Sequence, residues 1–176
     1  AVAGAREVVI LLDRSYSMGY AGRWKAAQDS ARAVVRGIGP RDRATIVSFT
    51  TDAASLTEPT ADHGTLERAI GRATVSAEGT RFGPALKLAG DILGASNMPN
   101  REIVLVSDFQ RRGWSAQAEL RLPAGVTMTA RDVAVGPVAD VAVVGVSTDR
   151  ADDDPASPVT VTARVTNVGS SPRTVD

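Results

Sequence analysis

Between Val8 and Leu12 five apolar residues follow one another, and the run ends in Asp13-Arg14-Ser15-Tyr16-Ser17. A short unbroken apolar run marks a strand buried on both faces. A helical pattern follows: Trp24, Ala27, Ala31, Val34, Val35 and Ile38 recur at spacings of three and four, and Gly37, Gly39 and Pro40 close it. Residues 43–50, "RATIVSFT", read as a strand, with 53–58 pairing back beside it. Leu66 to Arg72 read as a short helix. In "GTRFGPALKLAGDILG" a stripe of Phe82, Leu86, Ala89 and Leu93, flanked by Ala85 and Ile92, predicts a second long helix with Gly94 as its stop. Residues 101–108, "REIVLVSD", repeat the opening pattern, an apolar run ending in Ser-Asp. "RRGWSAQAEL" reads as a loop leading into a short helix, and 125–135 as the last strand of this unit.

Strands alternating with helices imply βαβ units. The expected fold class is therefore α/β: a doubly wound, mostly parallel sheet flanked by helices, over residues 1–136. The boundary falls near Gly136-Pro137, after which the pattern changes. "VAVVGVST" and "VTVTARVTNVG" are β-rich, and Val159, Val161, Ala163 and Val165 alternate with polar residues. Period two predicts strands with one buried face. Asp152 to Asp154, Pro155 and Ser157-Pro158 form the connecting loop. Two or three strands do not make a sandwich alone. Residues 137–176 are thus expected to be a truncated all-β segment, leaning on the first unit or associating with another copy.

The composition narrows the function. The chain has 176 residues, 43% hydrophobic and 23% charged, with zero formal net charge. No basic stripe carries interleaved aromatics, and aromatic content is 4%, so nucleic acid is not an expected partner. Cysteine is absent, which removes disulfides, thiolate metal sites and cysteine nucleophiles. No apolar run approaches the ~20 residues of a membrane span, so no membrane contact is expected within these residues. The opening "AVAGAREVVI" reads as part of a longer protein whose anchors lie elsewhere.

The strand ends carry the chemistry. Ligands of open parallel sheets bind beyond the carboxyl ends of the strands, where strand order reverses. Asp13 follows the first strand, Asp108 ends another, and Thr80 stands just before the second long helix. Asp13, Ser15 and Ser17, at alternate positions, can face a common point. All five are hard oxygen donors, suited to Mg2+ first, and to Mn2+ or Ca2+, rather than zinc. Two carboxylates only just neutralise a divalent ion. A protein partner's Asp or Glu could then supply the missing anionic ligand.

The Asp13-Arg14-Ser15-Tyr16-Ser17 segment, Thr80 in "EGT" and Asp108 in "VSD" together resemble the metal-ion-dependent adhesion site of von Willebrand factor A-type domains. The resemblance covers residues 6 to about 135. It implies Ser15, Ser17 and Thr80 as direct or near-direct ligands, Asp13 and Asp108 acting largely through water, and an acidic residue from the partner. Tyr16, Arg81 and Trp114 are the candidate partner-binding rim. "IVLVSDFQRRGW", "LPAGVTMTARDVAV" and the β-rich tail resemble bacterial aerotolerance-operon membrane proteins. In these an immunoglobulin-like, cell-adhesion-related domain often follows, which implies a place at the bacterial cell envelope. One departure stands out: A-type domains usually continue with another helix, a sixth strand and a C-terminal helix, for which "RDVAVGPVADVAV" leaves no room.

Simpler readings stand beside these. Ser15 and Ser17 can cap a helix or satisfy a turn. Tyr16 can pack on a loop, Trp114 can pack on the sheet, Trp24 belongs to the core, and Arg14 is solvated or salt-bridged. His63, the single histidine, reads as a surface residue, and no nucleophile elbow accompanies it. A strand-end phosphatase using Asp13 would need a second Asp two residues on, where Ser15 stands. The chain is therefore expected not to be an enzyme. The rival to a metal-assisted binding module is a structural module with a vestigial metal site.

Overall fold

The computed structural model describes residues 4–110, 113, 122–134, 141–150 and 159–167. The chain divides into two compact units, Ala1–Ala134 and Val135–Asp176.

The first unit is built on strands β1 (Arg6–Asp13), β2 (Arg43–Phe49), β3 (Ala53–Ser55), β4 (Asn100–Ser107) and β5 (Val126–Asp132). They lie in the order β3-β2-β1-β4-β5. β1 runs parallel to both β2 and β4, and β4 parallel to β5, while β3 folds back antiparallel on β2. Among the described residues three helices connect them: α1 (Arg23–Arg36), α2 (His63–Arg72) and α3 (Phe82–Gly94).

The unbroken apolar run explains itself through period two. Val8, Ile10 and Leu12 pack with Ala27, Ala31 and Val35 of α1 and with Leu66 and Ile70 of α2. Val9 and Leu11 point the other way, onto Phe82, Leu86, Ala89 and Leu93 of α3. Both faces of β1 are covered, so both parities must be apolar. The expected doubly wound α/β class is the one observed. Alanines at 27 and 31 let α1 lie close on the sheet.

Several details differ from the sequence expectation. Ile38 lies beyond α1 yet joins the core. Gly94 is the last residue of α3 rather than the position after it. Trp24 is only partly buried, at the margin of the α1 core. His63 opens α2 instead of lying in a loop, and its Nε2 sits 2.8 Å from the Ile38 carbonyl oxygen. It therefore ties the start of α2 to the chain just past α1. Asp62 caps α2 by accepting from the Gly64 and Thr65 amides. The short helix expected from "RRGWSAQAEL" falls on positions outside the described residues. Among the described residues no sixth strand joins the sheet, and no helix is long and apolar enough to cross a membrane.

The second unit contains an antiparallel pair, β6 (Val141–Arg150) and β7 (Val159–Asn167), with a register shift between Val143 and Gly145. The expected strands are present. Val146, Val159 and Val161, apolar positions of these strands, are 64%, 44% and 62% exposed. The connecting loop at 152–158 lies outside the described residues.

Candidate metal centre

β1 is the hinge of the topology. The chain leaves it for β2 on one side, and β4 pairs on its other side. The crevice of a doubly wound fold opens at the carboxyl ends of such a pair. β1 ends in Asp13 and β4 in Ser107, followed by Asp108.

Parity aims the first carboxylate. Asp13 continues the Val9 and Leu11 face, and Ser107 continues the Ile103 and Leu105 face, so the two side chains meet on the α3 side. The Ser107 hydroxyl donates to Asp13 Oδ2 at 2.6 Å, and the Ser15 amide donates to Oδ1 at 2.9 Å. Burial pushes the Asp13 carboxyl up from its ordinary value; these hydrogen bonds pull it back, and the Asp108 charge adds to the rise.

Ser17 lies in a 3-10 turn, Tyr16–Gly19, that starts directly after Ser15. Neither serine caps a helix in the way the simpler reading requires: at the head of this turn Ser15 makes no side-chain cap bond. The Ser15 and Ser17 hydroxyl oxygens are 3.3 Å apart, and both residues are buried. The segment carrying Thr80 is fastened from two directions. The Glu78 carbonyl accepts from the Tyr16 amide at 2.8 Å, and the Arg81 amide donates to the Thr50 carbonyl at 2.8 Å. The Glu78 carboxylate also accepts from the Thr50 hydroxyl. Three distant stretches thus meet: Ser15, Tyr16, Ser17, Gly79, Thr80, Gln110 and Gly113 line one cleft of about 230 Å3.

Asp13 and Asp108 are not part of that lining and stay buried at 0% and 7% exposure. Phe109, next to Asp108, adopts the left-handed region at φ 49°, a strained state for a bulky residue of the kind that gathers at functional sites. Its ring stacks on Phe82 with centroids 6.0 Å apart, which holds the turn.

One participant is absent from the sequence expectation. Arg23, the first residue of α1, is buried, and its Nη1 lies 2.6 Å from Asp108 Oδ2 with side-chain exposures of 8% and 1%. The same nitrogen donates to the Ser17 carbonyl at 3.3 Å. Asp108 Oδ1 and Arg23 Nε are buried with no hydrogen-bond partner among the described residues. The helical spacing 23-27-31-35 was available as a signal, because all four positions are buried. Ser107, Gln110 and Gly113 were likewise unforeseen.

The donor set fits a hard divalent cation. Three hydroxyl-bearing residues line the cleft, and Asp108 Oδ1, which has no partner among the described residues, is a buried acceptor of the kind that a cation or its water satisfies. Among the described residues no three His, Cys, Asp or Glu side chains cluster as a metal site; a cation here would draw on hydroxyls beside the two carboxylates. A second cavity, about 310 Å3, is lined by Arg14, Leu56, Arg68 and Arg72 among others; its guanidiniums disfavour a cation there. Arg14 is half-buried and donates to the Thr74 carbonyl at 3.3 Å, with no ion pair among the described residues. At the rim Tyr16 is 65% exposed, and Arg81 is exposed beside Thr80. Trp114 lies outside the described residues.

A doubly wound sheet with this strand order places the chain in the broad class of open α/β folds, to which A-type domains belong. The family model described as von Willebrand factor type A domain matches residues 8–110, and the chain belongs to that family. No curated protein matches the chain. Among solved structures, it is similar to the vWF domain of the type V pili tip protein Mfa5 from Porphyromonas gingivalis, at 29% identity and a TM-score of 0.56. That match covers 61% of this chain but only 39% of the pilus protein's. It also resembles BatB from Bacteroides thetaiotaomicron (22% identity, TM-score 0.58, covering 89% of this chain and 80% of that one). An aerotolerance-related membrane protein from Bacteroides fragilis is similar at 22% identity and TM-score 0.59, with 89% and 81% covered. At such identities the last two establish the shared fold alone.

Proposed function

We propose that this chain is a non-catalytic protein-binding module that recognises an acidic side chain of a partner through a divalent cation. Ser15, Ser17 and Thr80 would hold the cation, Mg2+ first and Mn2+ or Ca2+ as substitutes, with Asp13 and Asp108 providing the counter-charge. When bound, the cation supplies an electrophilic centre that accepts a carboxylate oxygen. Tyr16 and Arg81 form the contact rim. The observation that carries this reading is that Ser15 and Ser17, with their hydroxyls 3.3 Å apart, line one cleft with Thr80 at the carboxyl ends of β1 and β4. At about 230 Å3 that cleft has room for a partner's side chain beside an ion.

The similarity to a pilus tip domain and to an aerotolerance-related membrane protein supports a place at the bacterial cell envelope. The β6–β7 pair would then open an immunoglobulin-like domain. A rival reading, favoured by the Arg23–Asp108 ion pair that already satisfies one carboxylate oxygen, is a structural module with a vestigial metal site. Thermal unfolding with EDTA or with Mg2+ separates the two, because a ligand of the folded state raises the melting temperature by mass action. The binding module shows a cation-dependent rise in the wild type that Asp13→Ala and the double change Ser15→Ala, Ser17→Ala abolish. Identical melts in EDTA and Mg2+ would leave only the structural module.

A further inference from the structure

We infer that Arg23 is an internal counter-ion that makes cation binding at this site depend on an external carboxylate, so that ion and partner bind together rather than in sequence. The inference rests on the metal-binding reading above and concerns its regulation.

Its starting point is charge. Asp13 and Asp108 contribute two negative charges, and the guanidinium 2.6 Å from Asp108 returns one. The hydroxyls of Ser15, Ser17 and Thr80 add none. A site with one net negative charge around a divalent ion is left positive. In a buried, weakly screened setting that is unfavourable until an anion arrives. A carboxylate from outside brings the balance to zero. Without Arg23 the two aspartates would neutralise the ion by themselves, and the demand for a partner's acid would fall.

Geometry gives Arg23 few alternatives. Its guanidinium is buried at the start of α1, between the Ser17 carbonyl and Asp108. It therefore touches both halves of the site, the serine turn and the β4 end. Among the described residues only Oδ2 of Asp108 is taken, leaving Oδ1 unpartnered. Arg23 thus offsets the charge of Asp108 without blocking that oxygen. Arg23 is a positioning residue here; it acts through Asp108 and the local field.

The test is calorimetry of Mn2+ binding at neutral pH, with acetate as the carboxylate probe and chloride at equal ionic strength as control. Arg23→Met removes the charge but keeps a long side chain, and Arg23→Lys keeps the charge. The expected result is Mn2+ binding to R23M at least about tenfold tighter than to wild type without acetate. R23K should stay within about threefold of wild type. Acetate should tighten Mn2+ binding to wild type and R23K but not to R23M. Metal-free R23M should also melt below wild type, because it strands Asp108, and Mn2+ should raise its melting temperature by more than it raises the wild type's. A strut with no electrostatic role would not make the ion bind tighter.

Mn2+ affinity for R23M equal to or weaker than that of a wild type that does bind Mn2+ would overturn the role of Arg23 and leave the metal reading standing. Should R23M fail to fold, wild type and R23K decide alone: no tightening by acetate in either overturns the inference. If no form binds Mn2+, with or without acetate, the metal reading itself falls and this inference with it.

Discussion

Gly113 shows how little slack the cleft has. A Cβ at that position would meet the Phe82 ring at 2.5 Å and the Thr80 methyl at 3.1 Å. Gly113→Ala is expected to cost about 1–3 kcal/mol by overpacking, read as a lower melting temperature. It is also expected to shrink the Mn2+-dependent rise, because Thr80 is one of the groups displaced. A melt that keeps both the wild-type midpoint and the wild-type rise would show that the loop yields without moving Thr80. At this scale the spacing of Ser15 and Ser17 and the position of Thr80 before a helix were legible in the sequence. Arg23 was not. Its stripe with Ala27, Ala31 and Val35 was readable, but an arginine on a buried stripe makes sense only when its carboxylate is known. That partner lies 85 residues away. Gly113 was illegible for a similar reason: the ring it must avoid belongs to α3.

The elements were easier to read, because periodicity is local. Each strand and helix expected before the second unit, apart from the positions outside the described residues, has its counterpart. The errors fall at ends, where side-chain partners from elsewhere decide. β1 extends to Asp13 because the Ser107 hydroxyl and the Ser15 amide accommodate a carboxylate within the sheet. At its other end Arg6 is bound to Asp42, Nε to Oδ2 at 2.9 Å and amide to Oδ1 at 3.1 Å, while Gly39 donates its amide to Oδ2 at 3.0 Å. Partial burial works to raise the Asp42 pKa, but the hydrogen bonds from Gly39 and Arg6 outweigh it and hold the carboxyl below 3.8. A depressed folded-state value contributes stability above the unfolded pKa, and that contribution is lost as pH falls through the folded one. Asp42→Asn is therefore expected to lower stability at neutral pH by about 1–2 kcal/mol. The gap from wild type should close well below pH 3.8. Urea unfolding at the two pH values checks this; a gap that persists in acid would show that shape, not charge, makes the tie. Leu86, buried in α3 against Val9 and Leu11, should cost about 2–5 kcal/mol on truncation to alanine. Chemical denaturation of Leu86→Ala measures that cost.

At the scale of the molecule, both core clusters draw their buried members from residues 8–133. Residues 1–134 expressed alone are expected to fold cooperatively and to keep the wild-type melting temperature of this unit, checked by calorimetry. Residues 135–176 alone are expected to give no cooperative transition, since an isolated strand pair is marginal in water. The change from alternating helices and strands to strands only was legible in the sequence. The exposed valines of β6 and β7 were not, because alternation reports which face a strand offers and not whether anything meets it. The central place of β1 has a mechanical consequence. Its residues are laddered to β2 from Glu7 to Asp13 and to β4 from Arg6 to Leu12. A load pulling on the serine turn runs along that strand's axis. To extract it, both ladders must slide past their neighbours at once, as a glued lap joint fails, rather than peel open bond by bond. Whatever grips the cleft therefore hauls on the stiffest direction the sheet possesses, and the grip itself should give way before the sheet does.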